Sequence, residues 1–300
     1  VESQRLIQQI AASNYFIFGG QKSTYAEAMR DIEKGKADII LEIRDGKYLI
    51  AANAVNGTKG AMGSAYLSQI VTNSGFKSQV SSFKSLPLTT HLSPLTLYNK
   101  GQDYKLFMIP ALFAIVMMLM TGFLPTLNIV GEKESGTIEQ INVTPVSKWS
   151  FILAKLIPYW LIALFIITVC LLLAWIVYGI TPAGPVWLVY VLAMLLALFF
   201  SSFGLIISNY SDTMQQAMFV MWFFVVSIML LSGLFTPTRS MPEWAYLTTY
   251  INPMHYFIEA IRTVFIRGGG LHETAHQVLA LAGIGTLMGC WAVQSYKKNS

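Results

Sequence analysis

Charged residues are absent from a long central stretch of the chain, and this gap is its most informative pattern. From Leu156 to Ser211 no charged residue occurs, and the apolar run is interrupted by the turn-forming sequence Thr181-Pro182-Ala183-Gly184-Pro185. An α-helix rises about 1.5 Å per residue, so it crosses the roughly 30 Å hydrocarbon layer of a membrane in about 20 residues. Each arm of the run is long enough to do so. The pattern therefore predicts a membrane hairpin.

Three further stretches are free of charge and long enough to cross a membrane: Leu106–Val130, Thr213–Thr238 and Gln277–Tyr296. Together with the hairpin they predict five membrane spans, at about residues 106–130, 149–178, 186–209, 213–238 and 277–296. Residues 239–270 are too polar to span but rich in aromatic side chains, which favours short re-entrant or interfacial helices.

Residues 1–103 are polar and mix helical with extended patterns. Thr24 and Glu27 have the spacing of a capping box, which predicts a helix start at Tyr25. The Asp45-Gly46 step favours a tight turn between two β-prone runs. These signals predict a small α+β domain with helices at about 25–34 and 59–73, strands at 37–43 and 47–52, and an extended segment at 86–99.

Composition narrows the class of protein. Hydrophobic residues make up 54% of the chain and charged residues 12%, and the mean hydropathy is +0.54. These values indicate a mainly α-helical polytopic membrane protein, with residues 104–300 as its transmembrane domain. The basic residues are scattered, so we expect no nucleic-acid surface. Cys170 and Cys290 lie in apolar segments, which argues against a disulfide framework. Since the chain begins at Val1 and its first region is typical of an exported domain, we expect that a sixth, N-terminal span is missing.

A charged island, Gly131 to Ser147, separates the first two predicted spans. Ile138 and Ile141 share one helical face, Pro145 ends the turn, and the hydroxyl of Ser147 is suited to cap the next helix. The pattern predicts a short helix on the membrane surface. An ordinary amphipathic loop fits the same residues.

The island resembles the intracellular coupling helix of type-2 ABC exporter permeases, in which an acidic pair precedes Gly-Thr, Glu-Gln and Thr-Pro. The residues that carry this resemblance are Glu132, Glu134, Gly136, Thr137, Glu139, Gln140, Thr144 and Pro145. Family members usually have a basic residue before the first Glu, where this chain has Gly131. A second block resembles the family's re-entrant helices before the last span: Ser232–Pro237, Met241–Trp244, Asn252, Pro253, Tyr256 and Glu259–Arg262.

The resemblance implies the membrane subunit of an ATP-driven exporter in the bacterial cytoplasmic (inner) membrane. It implies an ABC ATPase partner, a second permease copy or paralogue, and a membrane-fusion protein as a further candidate partner. ATP and Mg would be bound by the ATPase, so we expect no cofactor and no catalytic residue in this chain. Residues 1–103 would then form an extracytoplasmic domain, and an apolar or amphipathic substrate would be exported. Its chemical identity has no sequence signal.

The resemblance also assigns roles to residues. In the coupling helix, residues 131–145, Ile138 and Ile141 would occupy a groove of the ATPase while the acidic groups pair with its basic rim. The re-entrant block would gate the outer exit through Asn252, Pro253, Tyr256, Glu259 and Arg262. Glu259 and Arg262 are three residues apart and are also candidates for a structural ion pair that anchors an interfacial helix.

Two alternative functions stay open from the residues alone. His272-Glu273-Thr274-Ala275-His276 matches the zinc motif H-E-x-x-H, which would suit a membrane-embedded zinc metalloprotease, although no third ligand is evident nearby. A structural membrane assembly factor with an exported interaction domain is the second alternative. Gly19-Gly20-Gln21-Lys22-Ser23 lacks the glycine that precedes the lysine of a phosphate-binding loop, so we predict no nucleotide site.

Overall fold

The computed structural model divides the chain into two compact units, Val1–Phe107 and Met108–Ser300. The residues that it describes are 2–13, 15–33, 35–44, 47–53, 60, 62–71, 95–97, 104–137, 147–235 and 241–296.

The first unit contains a three-stranded sheet with helices on both faces. Its elements are α1 (Glu2–Ala12), α2 (Tyr25–Glu33), β1 (Ile39–Arg44), β2 (Lys47–Asn53), α3 (62–71) and β3 (Leu95–Leu97). β1 pairs antiparallel with β2, and β2 pairs parallel with β3. The register pairs Arg44 with Lys47, so residues 45 and 46 alone connect the first two strands, as the Asp-Gly step predicts. The helix α1 was not predicted.

Alternation along the strands gives the sheet its two buried faces. Ile40 and Ala51 pack with Ile32 of α2, whereas the next residue of β2, Ile50, packs with Leu6 of α1 and with α3. The predicted start of α2 is confirmed, because the Glu27 N–H donates to Thr24 Oγ1 at 3.3 Å. The Glu27 carboxylate accepts from the Ser23 hydroxyl at 3.0 Å.

The second unit is helical, and among its described residues four helices are long and apolar enough to cross a membrane. The elements of this region are α4 (Tyr104–Met118), a π-helical turn (Leu119–Phe123), α5 (Leu124–Glu134), α6 (Lys148–Tyr178), α7 (Val186–Tyr210), α8 (Met214–Leu230), α9 (Glu243–Thr249), α10 (Pro253–Arg262), a second π-helical turn (Thr263–Arg267) and α11 (Leu271–Ser295). The π-helical turn joins α4 and α5 into one rod. This architecture is that of a multi-pass membrane protein.

Helix ends differ from the predicted spans in three places. The first span continues past residue 130 to Glu134, and the last helix begins at Leu271 instead of 277. The predicted span 213–238 is a helix of 17 residues that ends at Leu230, about 25 Å long. Gly233, three residues after that end, has φ +82°, a backbone conformation that side-chain-bearing residues rarely adopt.

Helix α7 lies at the centre of the second unit and packs against α5, α6, α8, α10 and α11. Its contact with the first rod is a backbone contact, because a Cβ added at Gly204 would lie 2.6 Å from the Gly122 carbonyl oxygen. Helix α6 is peripheral and exposes large apolar side chains such as Phe165. Its exposed apolar surface is the kind that faces lipid.

Candidate functional site

Polar and charged side chains gather where α5, α7 and α11 end and where α6 and α8 begin. Lys148 Nζ at the start of α6 donates to the Tyr296 carbonyl at 3.2 Å, and Asn209 Nδ2 donates to Ser295 Oγ at 2.8 Å. We call this region, residues 131–137, 147–155, 209–216 and 295–296, the charged end of the membrane unit.

Glu132 and Lys155 form an ion pair that joins α5 to α6. Both side chains are about three-quarters buried, with exposed fractions of 23% and 24%. Glu132 Oε1 takes the Lys155 ammonium, and Glu132 Oε2 is buried with no hydrogen-bond partner in the described part of the chain. A charge in such a place requires its partner, since an unpaired buried charge is costly.

Lys133 links α5 to the connection between α7 and α8. Its Nζ donates to Asp212 Oδ1 at 2.7 Å and to the Ser211 carbonyl at 2.9 Å. The hydrogen bond from Lys133, reinforced by its positive charge, lowers the pKa of Asp212 from its ordinary value. Asp212 thus stays ionised and continues to hold the ammonium of Lys133 at moderately acidic pH.

Glu134 binds the first turn of α8. Its Oε1 accepts a hydrogen bond from the Met214 N–H at 2.9 Å, one of the N–H groups that a helix start leaves unsatisfied. A carboxylate at this position also interacts favourably with the positive end of the helix dipole. Thr213 Oγ1 accepts from the Gln216 N–H at 3.2 Å and completes the cap.

The predicted coupling residues lie at the end of α5 and after it. Helix α5 runs to Glu134, so Glu132 and Glu134 lie on the last turn of a spanning helix and not on a separate surface helix. Gly136 has φ +72° and turns the chain away, and Thr137 is exposed. The remaining predicted residues lie outside the described part of the chain: Ile138, Glu139, Gln140, Ile141, Thr144 and Pro145.

Direct backbone contacts occur at the other end of the membrane unit, residues 178–186, 230–235 and 243–271, which we call the glycine end. The Gly184 N–H donates to the Val264 carbonyl at 2.9 Å, and the Ala183 N–H donates to the Phe265 carbonyl at 3.3 Å. A Cβ at Gly184 would lie 2.8 Å from the Gly269 carbonyl oxygen. The α6–α7 turn is therefore pressed directly onto the second π-helical turn.

The predicted gate residues come together at the glycine end. Asn252 Nδ2 donates to the Ile228 carbonyl of α8 at 2.9 Å, and Asn252 Oδ1 accepts from the Met254 N–H at 3.0 Å and caps α10. Pro253 is buried at the first position of α10. The Tyr256 hydroxyl donates to the Tyr250 carbonyl at 2.9 Å. These contacts tie α10 to α8 and to the segment after α9.

The Glu259–Arg262 ion pair considered from the sequence is not among the ion pairs of the described residues. Arg262 Nη1 and Nη2 donate to the carbonyls of Gly233 and Leu234 at 3.5 and 3.4 Å. Glu259 Oε2 lies 3.9 Å from His255 Nε2. Arg262 thus holds the turn that follows α8.

The H-E-x-x-H sequence forms the first turns of α11. Glu273 Oε2 accepts a hydrogen bond from the Gly270 N–H at 2.8 Å, so this carboxylate caps the helix. In the ranges that the structure describes, no group of three His, Cys, Asp or Glu side chains is arranged to hold a metal ion.

Sequence reasoning missed three residues of the charged end as site residues: Lys133, Lys155 and Asp212. A usable signal existed for Lys155, because an ionisable residue inside a predicted span calls for a partner. No signal existed for the contact between Lys133 and Asp212, which are 79 residues apart.

Comparison with known proteins agrees with this architecture. The family model for the ABC-2 family transporter protein matches residues 1–293. Among relatives from Escherichia coli K12, the probable multidrug ABC transporter permease YbhR is 28% identical over 244 residues, covering 81% of this chain and 66% of YbhR. The probable multidrug ABC transporter permease YbhS is 30% identical over 175 residues, covering 57% and 46% of the two chains. The inner membrane transport permease YhhJ is 24% identical over 270 residues, covering 87% and 70%.

The aligned part of this chain spans just under two thirds of YbhR and just under half of YbhS. The relatives are permeases by name, which indicates a transporter membrane subunit rather than a catalytic enzyme. Since the family model matches nearly the whole chain, the protein belongs to the ABC-2 transporter family and is a type-2 ABC permease, as the coupling-helix resemblance predicted.

Proposed function

We propose that the protein is the membrane subunit of an ATP-driven exporter that moves an apolar or amphipathic substrate across the bacterial cytoplasmic membrane. An ABC ATPase subunit binds and hydrolyses ATP with Mg, and this chain binds no cofactor. The family match and the multidrug permease names of two relatives support this function. One observation at the charged end carries this function. The last turn of α5, where the connection between the first two spans begins, is bonded to α6, to the α7–α8 connection and to α8.

In this proposal the charged end faces the cytoplasm. The rod formed by α4 and α5 crosses the membrane once, so the first unit, before it, lies outside the cell. A second copy of the chain or a paralogue completes the transporter. A membrane-fusion protein is a further partner on the outer side, and nucleic acid is not a partner.

The coupling segment, residues 131–145, receives the mechanical work. Ile138 and Ile141 dock in a groove of the ATPase, and the segment contacts it differently before and after the ATPase dimer closes. A difference in contact free energy between the two states is what allows ATP binding to shift the permease. At the glycine end, Asn252, Pro253, Tyr256, Glu259 and Arg262 form the extracytoplasmic gate, supported by their contacts with the last turn of α8 and the turn after it.

Site-specific photo-crosslinking tests this proposal. A photoreactive amino acid replaces Thr137, which is exposed at the charged end, or Gln140 in the coupling segment. The matched control replaces Trp244, which is 69% exposed at the glycine end. We expect the first two positions to capture an ATP-hydrolysing subunit in cells and Trp244 to capture none. Capture from Trp244 alone, or a topology reporter that places Thr137 outside the cell, would refute the proposal.

A further inference from the structure

Three consecutive residues at the end of α5 bind three different parts of the membrane unit. Glu132 pairs with Lys155 of α6, Lys133 bonds to the α7–α8 connection, and Glu134 bonds to the start of α8. Consecutive side chains on an α-helix point about 100° apart. The last turn of α5 is therefore held on most of its circumference.

The acidic groups of this turn are engaged within the chain. Glu132 has one carboxylate oxygen on Lys155 and the other buried. Glu134 is more exposed, but Oε1 is committed to the Met214 N–H. A carboxylate that already has one oxygen in such a contact gains less from a partner's basic residue, because the existing contact must first be broken.

The acceptor for Lys133 is itself fixed in place. The Asp212 N–H donates to Gln216 Oε1 at 3.1 Å, and the Gln216 N–H donates to the cap residue Thr213 at 3.2 Å. Lys133 also reaches the Ser211 carbonyl, so it grips the main chain as well as the Asp212 side chain. Displacement of α5 therefore pulls on the backbone between α7 and α8.

We propose that Glu132, Lys133 and Glu134 are positioning residues that fasten the start of the coupling segment to α6, to the α7–α8 connection and to α8. They act inside this chain, and the residues after Gly136 make the contacts with the ATPase. The segment and the three helix ends then move as one body when the ATPase closes. This inference rests on the proposed function.

The first experiment separates partner binding from transmission. Lys155→Gln and Lys133→Gln are each introduced into the full chain, which is purified with its ATPase. The matched control is Lys148→Gln, which removes a cation at the same end that bonds to Tyr296 and to none of the three residues. We expect all variants to retain the ATPase. Permease-dependent ATP turnover should fall about tenfold in Lys155→Gln and Lys133→Gln and stay near the wild-type rate in Lys148→Gln.

Rescue distinguishes positioning from a general loss of folding. The exchange of charges in Glu132→Lys with Lys155→Glu rebuilds the ion pair with reversed polarity, and Lys133→Arg keeps a donor for Asp212 and Ser211. We expect both variants to recover most of the turnover. Should Glu132 instead contact a basic residue of the ATPase, the exchanged pair would stay inactive and lose the partner.

Spin-label distances test whether the parts move together. Labels are placed at Thr137 and Gln215, two exposed positions, in a chain whose Cys170 and Cys290 are replaced by Ala. We expect one narrow distance that is the same without nucleotide and after trapping with ATP and vanadate. In Glu134→Ala and Lys133→Gln, trapping should shift or broaden that distance.

The outcomes separate this inference from the proposed function. Unchanged turnover and unchanged distances in the variants would overturn the positioning role and leave the proposed function standing. Loss of the ATPase from Lys133→Gln but not from Lys148→Gln would overturn it too, because Lys133 would then be a partner contact. If the wild-type chain retained no ATPase, the proposed function itself would fail.

Discussion

The two ends of the membrane unit are held together by different chemistry. At the charged end, long flexible side chains bridge different helices and connections, as in the pairs Glu132–Lys155 and Lys133–Asp212. At the glycine end, main-chain groups bond to one another and no space remains for a side chain at Gly184. Side-chain bridges can lengthen or change partners at small cost, whereas close-packed backbone cannot.

This difference gives each end a mechanical role in the proposed transporter. The end that receives force from a partner has adjustable contacts that still transmit displacement. The opposite end has rigid contacts that make the α6–α7 turn and the second π-helical turn one block. We therefore expect stability to depend more on the glycine end and coupling to depend more on the charged end.

The largest loss of stability should follow from Gly184→Val. The new Cβ would lie 2.8 Å from the Gly269 carbonyl and 3.0 Å from the Val264 carbonyl. Both are backbone atoms, which cannot rotate away, so we expect a loss of more than about 3 kcal/mol. Thermal unfolding of the detergent-purified protein measures it. The matched control is Gly283→Ala in α11, where a Cβ meets nothing within 4 Å, and it should unfold near the wild-type temperature.

A smaller loss is expected from Lys155→Met at the charged end. It leaves the Glu132 carboxylate three-quarters buried and unpaired, which should cost between about 2 and about 3 kcal/mol after allowance for partial exposure. The double variant Glu132→Gln with Lys155→Met removes both charges and should regain most of that stability. If the single variant were as stable as wild type, the ion pair would contribute nothing to holding α5 against α6.

Asn252→Ala should cost about 2 kcal/mol, about 1 for the lost cap of α10 and about 1 for the lost hydrogen bond to α8. Asn252 is 7% exposed, so water cannot replace these contacts freely. Asn252→Ser keeps an uncharged oxygen that can cap the Met254 N–H but loses the amide donor to Ile228. Its unfolding temperature should lie between those of wild type and Asn252→Ala. Equal values for the two variants would show that the cap contributes nothing.

Sequence patterns predicted those parts of the fold that depend on local chemistry and length. The hairpin α6–α7 follows from two long apolar arms and a Pro-Gly turn, and the strands β1 and β2 follow from β-prone runs on either side of Asp-Gly. The start of α11 was placed six residues too late, because its first turns carry the polar residues His272 to His276. Glu273 caps the start of α11, and such a cap does not change the mean hydropathy of the segment. Hydropathy alone therefore cannot locate this helix start.

The contacts of the candidate site required the structure. The sequence resemblance predicts positions for the coupling segment and the gate, since their motifs are local. It gave no partner for Glu134, whose bond to Met214 spans 80 residues. The first residues of the coupling motif, Glu132 and Glu134, form the last turn of α5. The helix continues through Glu134, and the backbone leaves the helical conformation at Gly136. Pairing between distant elements depends on how the helices pack, and a local pattern does not record it.

The smallest predicted effect is a dependence on pH that arises at the contact between Lys133 and Asp212. The hydrogen bond and charge of Lys133 hold the pKa of Asp212 below its ordinary value of 3.8. Folding thus favours the ionised form of Asp212. The contribution of its contact with Lys133 to the free energy of unfolding is complete above about pH 5 and is lost as pH falls through the lowered pKa of the folded state. The Asp212 side chain is 84% exposed, and a surface pair contributes little.

We therefore expect a slight fall in unfolding temperature between pH 5 and pH 3 that is smaller in Asp212→Asn than in wild type. The matched control is Gln215→Ala, an exposed polar position in the same turn of α8, which should keep the wild-type slope. At the glycine end, the contact between Gly184 and Val264 joins two main-chain groups, and neither of them titrates. Spin labels placed across the contact between the α6–α7 turn and the second π-helical turn should consequently show no change over this range, whereas labels at Thr137 and Gln215 should show a broader distance at pH 3. Equal broadening at both ends would mean that acid loosens the whole unit. The side-chain contacts of the charged end would then have no pH response of their own.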